Sequence, residues 1–372
     1  MHMKKQTISF EASSNNKKST RLSFADGLRG IAALWVVFYH LSEGHHIEIL
    51  RQKLPIALNK LLFDWGHLGV AIFFVLSGFV MALTAHNAHF NTSNALRFVA
   101  RRLARLAPPY YVAIAFTLLL MLVKSKALHA PFNLPPFNSL LQHLFFAQGV
   151  FNTPHINIIF WTLCVEVQFY IAFALLLLGA DYAEKRYQLN NARFNIIITV
   201  FMLSLLWPLD VTSSAIWTGG FIGFWYSFLL GVIVCWAWLN KGVNKHKLQI
   251  VVFCLCLAVL VIGIAKQNDF ALVAALTAGL MLLAGVKDTM QTWLNWAWLQ
   301  WLGLISYSLY LLHNPITGAS FNIAEKLVGK GLGAEILASI FTLLACLVGA
   351  YVSFLIIERP SIGWSHHFKL KK

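Results

Sequence analysis

Long apolar runs separated by short polar stretches dominate the chain from residue 22 onward. A bilayer core about 30 Å thick needs about 20 apolar helical residues to cross it. A window of that length finds segments at 24–44, 66–85, 107–123, 157–179, 194–209, 218–239, 248–265, 271–286, 302–318 and 336–357. The fifth and eighth are short, so they can be tilted or partly re-entrant. Residues 139–151, LLQHLFFAQGVFN, are apolar but too short to cross, and are expected as an outer interfacial or re-entrant piece. The pattern predicts an all-α, polytopic helical membrane protein with about ten transmembrane helices. It divides the chain into a flexible tail over 1–21, a membrane domain over 22–362 and a basic tail over 363–372, with no internal repeat visible.

Composition agrees. Hydrophobic residues make up 58% of the chain and charged ones only 12%, about half the charged share of a soluble domain. A water-soluble enzyme or a disordered scaffold is thereby excluded. The net charge of +15 does not point to nucleic acid, because a basic excess in so apolar a chain belongs beside membrane lipid. With the N-terminus inside, the inner connections and tails hold twenty Lys and Arg and the outer ones eight. That bias places both termini in the cytoplasm. Residues 1–21 are polar and do not read as a cleavable leader. The five cysteines, Cys164, Cys235, Cys254, Cys256 and Cys346, lie in apolar runs without metal-ligand spacing, so core packing is expected rather than disulfides or a metal site.

Ionisable side chains inside a span are costly and usually face protein or a wet cavity. Arg29 and His40 in the first span, Glu166 in the fourth and His313 in the ninth are the ones that qualify. Eleven residues separate Arg29 from His40, three turns plus about 20°, so both share one helix face and lie roughly 16 Å apart along it. Snorkelling by Arg29 and a plain interhelical hydrogen bond by His40 are the bland alternatives. In RFVARRLARLAPPYYVA, Arg97, Arg101, Arg102 and Arg105 stand just before Pro108 and Pro109, which are expected to open the third span. They can be topology charge alone. Their i, i+3 and i, i+4 spacing also lets one helix face grip phosphate through forked, permanently charged contacts. In FWTLCVEVQFYI, Glu166 and Tyr170 are i, i+4 neighbours; in GLISYSLYLLHNP, Ser306, Tyr310 and His313 form one polar stripe ahead of Pro315. A buried ion pair and interhelical hydrogen bonds are the structural alternatives for these two.

At these residues the sequence resembles acyltransferase family 3, integral membrane enzymes that O-acylate cell-surface glycans. The resemblance covers about residues 22–362 and rests on six fragments in order: FADGLRGIAALWVVFYH, GHLGVAIFFVLSGF, RRLARLAPPYY, FWTLCVEVQFY, ISYSLYLLHNP and IIERP. It implies an acyltransferase of the bacterial inner membrane that takes an acyl group, acetyl by family habit, from cytoplasmic acyl-CoA. The acceptor is a hydroxyl of an extracytoplasmic glycan or lipid-linked glycan, such as lipopolysaccharide O-antigen or exopolysaccharide. No metal is implied. Carried over, His40 is the catalytic base and Glu166 a second catalytic group. Arg29, Arg101, Arg102 and Arg105 hold the acyl-CoA, while Tyr170, Tyr310 and His313 contact the substrate. Two departures bear on the acceptor: Ala71 and Val167 stand where many members carry acids. Some relatives add a C-terminal hydrolase-like domain, for which the fifteen residues after the last span are expected to leave no room.

Ser77, in VLSGF, is not set in a GxSxG elbow and is expected to serve helix packing, so direct transfer without an acyl-enzyme is favoured. The competing class is a polytopic transporter or flippase of a glycan or phosphorylated small molecule. It should show paired broken helices in two repeated halves, and none is seen. The acceptor's identity, the acyl chain length and the oligomeric state are not legible in the sequence.

Overall fold

The computed structural model describes residues 22–212, 220–242 and 244–371. The expected tail 1–21, the first two residues of the sixth predicted span and the last residue of the 363–372 tail lie outside the described residues. Apolar sequence in a bilayer must satisfy every backbone polar group internally, and the described residues are helical with connecting turns. In chain order the helices are α1 (Ser23–Glu43), α2 (Glu48–Lys53), α3 (Ile56–Leu62), α4 (Gly69–Ala85), α5 (Thr92–Ala127), α6 (Phe137–Leu144) and α7 (Trp161–Tyr187). There follow α8 (Ala192–Ser204), α9 (Trp225–Leu239), α10 (Lys245–Ala265), α11 (Asp269–Val286), α12 (Ala297–Val328), α13 (Leu332–Ser353) and α14 (Arg359–Ser365).

Among the described residues, seven stretches are long and apolar enough to cross a membrane: Ile56–Ala85, Thr92–Ala127, Ile158–Tyr187, Ile222–Leu239, Lys245–Ala265, Asp269–Val286 and Leu332–Ser365. The outward side chains Leu175, Ile250, Val261 and Val348 are each more than half exposed, as lipid-facing positions are. Helix α8 is apolar but only 13 residues long. Helices α1 and α12 fall outside the apolar set because the polar residues that single them out in the sequence also lower their mean hydropathy.

Those two helices nevertheless pack against each other, with α13 on the other side of α12 and α4 against both α1 and α9. Small residues set the closest approaches, as expected where lipid supplies no hydrophobic drive between helices. A methyl group on Gly303 would run into the Asp26 carbonyl, and one on Gly30 would lie 2.9 Å from the Leu299 carbonyl. Gly78 of α4 and Gly231 of α9 relate in the same way, each facing a carbonyl of the other helix. The core between α4, α7 and α9 is aromatic: Phe228 stacks on Phe74 at 4.4 Å and on Phe169 at 3.9 Å between ring centres. Of the cysteines, four are buried, as core packing requires, whereas Cys254 is exposed and departs from that expectation.

One boundary differs from expectation. Pro108 and Pro109 do not open a helix; α5 runs through both, and the arginine cluster precedes them on it. Proline there removes hydrogen bonds to the preceding turn, and the Tyr307 hydroxyl donates to the Leu106 carbonyl beside this break at 2.8 Å. The arginines are therefore held rigidly on the same rod that enters the membrane. Residues 139–151 form the end of the short α6 followed by turns.

Candidate active site

A cavity of about 370 Å³ opens among α1, α4, α5, α7 and α12. Arg29, Arg102, Arg105, Glu166, Tyr170 and Tyr310 all line it. Four helices, α1, α5, α7 and α12, thus deliver six of the nine expected site residues to one space. Arg101 is half-buried on α5 and does not line it. Nor do His40 and His313.

The three lining arginines are held differently. Arg102 is buried, donates to Thr84 Oγ1 at 2.8 Å and to the Val80 carbonyl at 3.2 Å, and lies over the Phe98 and Tyr170 rings. Such a guanidinium is fixed in place, its faces covered by aromatic rings. Arg29 and Arg105 both line the cavity and make no hydrogen bond or ion pair among the described residues. Glu358, in the π-helical turn Phe354–Glu358, accepts from the Ser308 backbone N–H at 3.2 Å and from its hydroxyl at 2.7 Å. It was read in the sequence only as part of IIERP. Its place at the end of the last span hid that it is an intramembrane carboxylate.

Glu166 accepts from Ser77 Oγ at 2.9 Å and from the Tyr170 hydroxyl at 2.5 Å. Ser77 therefore faces the cavity beside a carboxylate, whereas Gly78 alone meets the packing expectation. No contact joins Glu166 to His40. The two positions that lack the acids of many members, Ala71 and Val167, are buried in the apolar core.

The cavity ends at Phe73, Thr162 and Tyr310. The Tyr310 and Thr162 hydroxyls are bonded to each other at 2.7 Å, and both reach the Ile159 carbonyl, at 3.2 and 3.0 Å. The Phe73 ring stands against Tyr310 with centres 5.7 Å apart. Beyond this constriction, one turn along α12, lies His313, fully buried, and against it His40 of α1. Arg29 and His40 thus both belong to the α1 surface that meets α12, but a closed partition separates them.

Hydrogen bonding fixes both imidazoles. A carbonyl oxygen can only accept, so a ring nitrogen facing one must carry the proton. His313 Nδ1 faces the Tyr310 and Leu309 carbonyls at 2.7 and 3.1 Å. His40 Nδ1 faces the Val36 carbonyl at 2.9 Å. Each ring is then protonated at Nδ1, and His313 Nε2, 3.2 Å from His40 Nδ1, accepts from it. What remains is the lone pair of His40 Nε2, which makes no hydrogen bond among the described residues and has the Glu43 carboxylate 3.5 Å away.

Residues 22–358 match the family described as "Acyltransferase domain". The chain is 26% identical over 373 residues to the "Putative peptidoglycan O-acetyltransferase YrhL" of Bacillus subtilis (strain 168), covering 90% of this chain and 54% of that protein. It is 26% identical over 325 residues to "O-acetyltransferase OatA" of Staphylococcus aureus (strain NCTC 8325 / PS 47), covering 78% of this chain and 50% of that protein. The chain therefore spans about half the length of the curated relatives it matches. No solved structure matches it significantly.

Proposed function

The chain belongs to the acyltransferase family matched by its residues 22–358, and on that premise we propose that it moves an acetyl group from cytoplasmic acetyl-CoA to a hydroxyl of an extracytoplasmic glycan. In this reading α1, α8 and α12 cross the bacterial inner membrane together with the seven more apolar stretches, both termini lie in the cytoplasm, and the arginine end of the cavity faces inward. The relatives' names extend the acceptor class to peptidoglycan as well as O-antigen and exopolysaccharide.

The observation that carries the reading is the pairing of an arginine-lined cavity with a tautomer-fixed histidine just past its closed end. Arg29 and Arg105, without hydrogen bonds of their own, and Arg102, already oriented, hold the phosphates of CoA, with Arg101 nearby on α5. The acyl-pantetheine arm extends along Ser77, Glu166 and Tyr170 to the constriction. When Tyr310 and Thr162 part, the thioester carbonyl reaches the acceptor hydroxyl. His40 Nε2 takes the hydroxyl proton as the C–O bond forms, the C–S bond breaks, and the CoA thiolate leaves with the proton from the imidazolium. His313 acts through His40 by accepting from its Nδ1–H, so it is a positioning residue in this scheme and not a sugar contact. Glu166 stays on the donor side, bonded to Ser77 and Tyr170, rather than orienting His40.

Without the His40 imidazole, general acid–base help of about 10²–10⁴ is lost. The test is mass spectrometry of surface glycans from a deletion strain complemented with wild-type or His40→Ala protein at equal membrane levels. An acetyl mass increment is expected with the first and not the second; equal increments would overturn the assignment of the base.

A further inference from the structure

A second concavity, about 620 Å³ in volume, lies at the end of α1 opposite Arg29. The C-terminal turn of α1, helix α2 and the 3-10 turn Asp64–Leu68 build it, and Tyr39, Ser42, Glu43, Glu48, Arg51, Gln52 and Asp64 lie in its wall. Its volume falls within the roughly 300–1,000 Å³ of small-molecule sites. Unlike the arginine cavity, its lining holds no aliphatic side chain.

What joins this groove to chemistry is His40. The side chain is only 10% exposed, yet its Nε2 makes no hydrogen bond among the described residues and points toward Glu43, a wall residue, 3.5 Å away. His40 is not itself part of the lining, and Glu43 is the link between its Nε2 and the groove. The groove is the space from which a partner for that nitrogen can come, since the arginine cavity ends on the other side of Tyr310.

The wall also selects. Arg51 is already committed, its guanidinium donating to Ser42 Oγ and to Asp64 Oδ1, both at 2.5 Å. Glu43 and Glu48 retain acceptor oxygens beyond those facing Tyr39 and His45. Carboxylates outnumber the guanidinium three to one, so an anionic ligand is repelled, whereas a polyhydroxylated one finds strong charge-assisted acceptors for its hydroxyls. We propose that this groove is the acceptor subsite, binding an uncharged glycan so that one hydroxyl meets His40 Nε2. The proposal rests on the acyl-transfer reading above.

The experiment uses the full chain in lipid nanodiscs with radiolabelled acetyl-CoA and two probe acceptors, uncharged chitotetraose and anionic tetragalacturonate. Two variants perturb the groove differently: Glu48→Gln/Asp64→Asn removes acceptor charge, and Gln52→Trp fills space while leaving every charge in place. Label is expected on chitotetraose in preference to tetragalacturonate. Both variants are expected to raise the chitotetraose KM at least about tenfold, the size of a lost charge-assisted contact, with kcat within about twofold and the acetyl-CoA KM unchanged. Equal labelling of the two probes, or an unchanged chitotetraose KM, overturns the subsite. So does a parallel rise in the acetyl-CoA KM, which would mean that the groove serves the fold. Base-labile acetate on envelope glycans of the complemented strain separates the two readings. If it appears and depends on His40 while chitotetraose takes no label, the subsite falls and acyl transfer stands; if the wild type yields none, the transfer reading itself fails.

Discussion

Replacing His313 separates a positioning role from a chemical one. His313 Nε2 accepts from His40 Nδ1–H at 3.2 Å, but that same N–H also faces the Val36 carbonyl at 2.9 Å. His313→Leu, similar in volume, therefore removes one of two acceptors and leaves no buried donor unpaired. A single neutral hydrogen bond contributes about 0.5–1.5 kcal/mol net, which corresponds to a rate loss of about two- to twelvefold if the bond matters fully in the transition state. His313→Gln keeps an acceptor at the same reach and is expected to recover most of that loss. His40→Ala, by contrast, deletes the base and is expected to cost about 10²–10⁴. The assay is acetyl transfer to chitotetraose by protein in nanodiscs, with kcat and both KM values measured. A His313→Leu deficit as deep as that of His40→Ala, not recovered by glutamine, would place His313 in the chemistry and refute this scheme. An unchanged rate would show that the contact is idle.

Arg105→Ala is expected to raise the acetyl-CoA KM about tenfold or more through one lost charge-assisted phosphate contact, with the acceptor KM unchanged; steady-state kinetics checks it. Tyr310→Phe breaks the hydroxyl pair with Thr162 and is expected to let water reach the thioester, read as faster release of free CoA from acetyl-CoA when no acceptor is present. Gly303→Ala sets a methyl group against the Asp26 carbonyl and is expected to lower the melting temperature of the purified protein, because the backbone-to-backbone contact of α1 with α12 cannot yield without moving a helix. In the segment between α5 and α7, His143 accepts from the Ile156 N–H at 3.1 Å, and burial depresses its pKa and that of His155. The unfolded segment then binds protons more readily than the folded one, so stability is full above about pH 6.5, the ordinary imidazole value, and declines as pH falls through it toward the lower folded values. The hydrogen-exchange protection factor over residues 139–156, which divides out the intrinsic pH dependence of exchange, should fall at pH 5 relative to pH 7.5, and much less so in His143→Gln.

Helix positions were legible because lipid imposes one rule, about 20 apolar residues in a row, and that rule needs no knowledge of neighbours. The same rule failed where function intervenes. Helix α5 continues past two prolines, and the Tyr307 hydroxyl of α12 bonds the nearby Leu106 carbonyl, a tertiary contact that no local propensity carries. The convergence of Arg29, Arg102, Arg105, Glu166 and Tyr310 was foreshadowed because each is an expense in a membrane and so stands out. Ser77, Thr162 and Tyr39 cost little in a helix and gave no such signal. Glu358 and Glu43 were passed over because they sit at the ends of spans, where charge is cheap and a carboxylate looks like topology.

What spacing could not convey is the partition. An i, i+11 pair on one helix face suggests a single continuous wall from Arg29 to His40, and the α1 surface is indeed continuous. The space beside it is not, because α12 brings Tyr310 and α7 brings Thr162 to the same level, and their hydroxyls close on each other. That closure suits the chemistry. A thioester held at arginines on one side and a free imidazole nitrogen on the other would hydrolyse if water ran between them, and excluding water also strengthens the electrostatic contacts within each compartment. A hydrogen-bonded hydroxyl pair is a reversible seal: it costs little to open, since each partner keeps the Ile159 carbonyl as an alternative acceptor. In the proposed scheme the seal therefore guards the thioester, while the chemistry itself falls to His40.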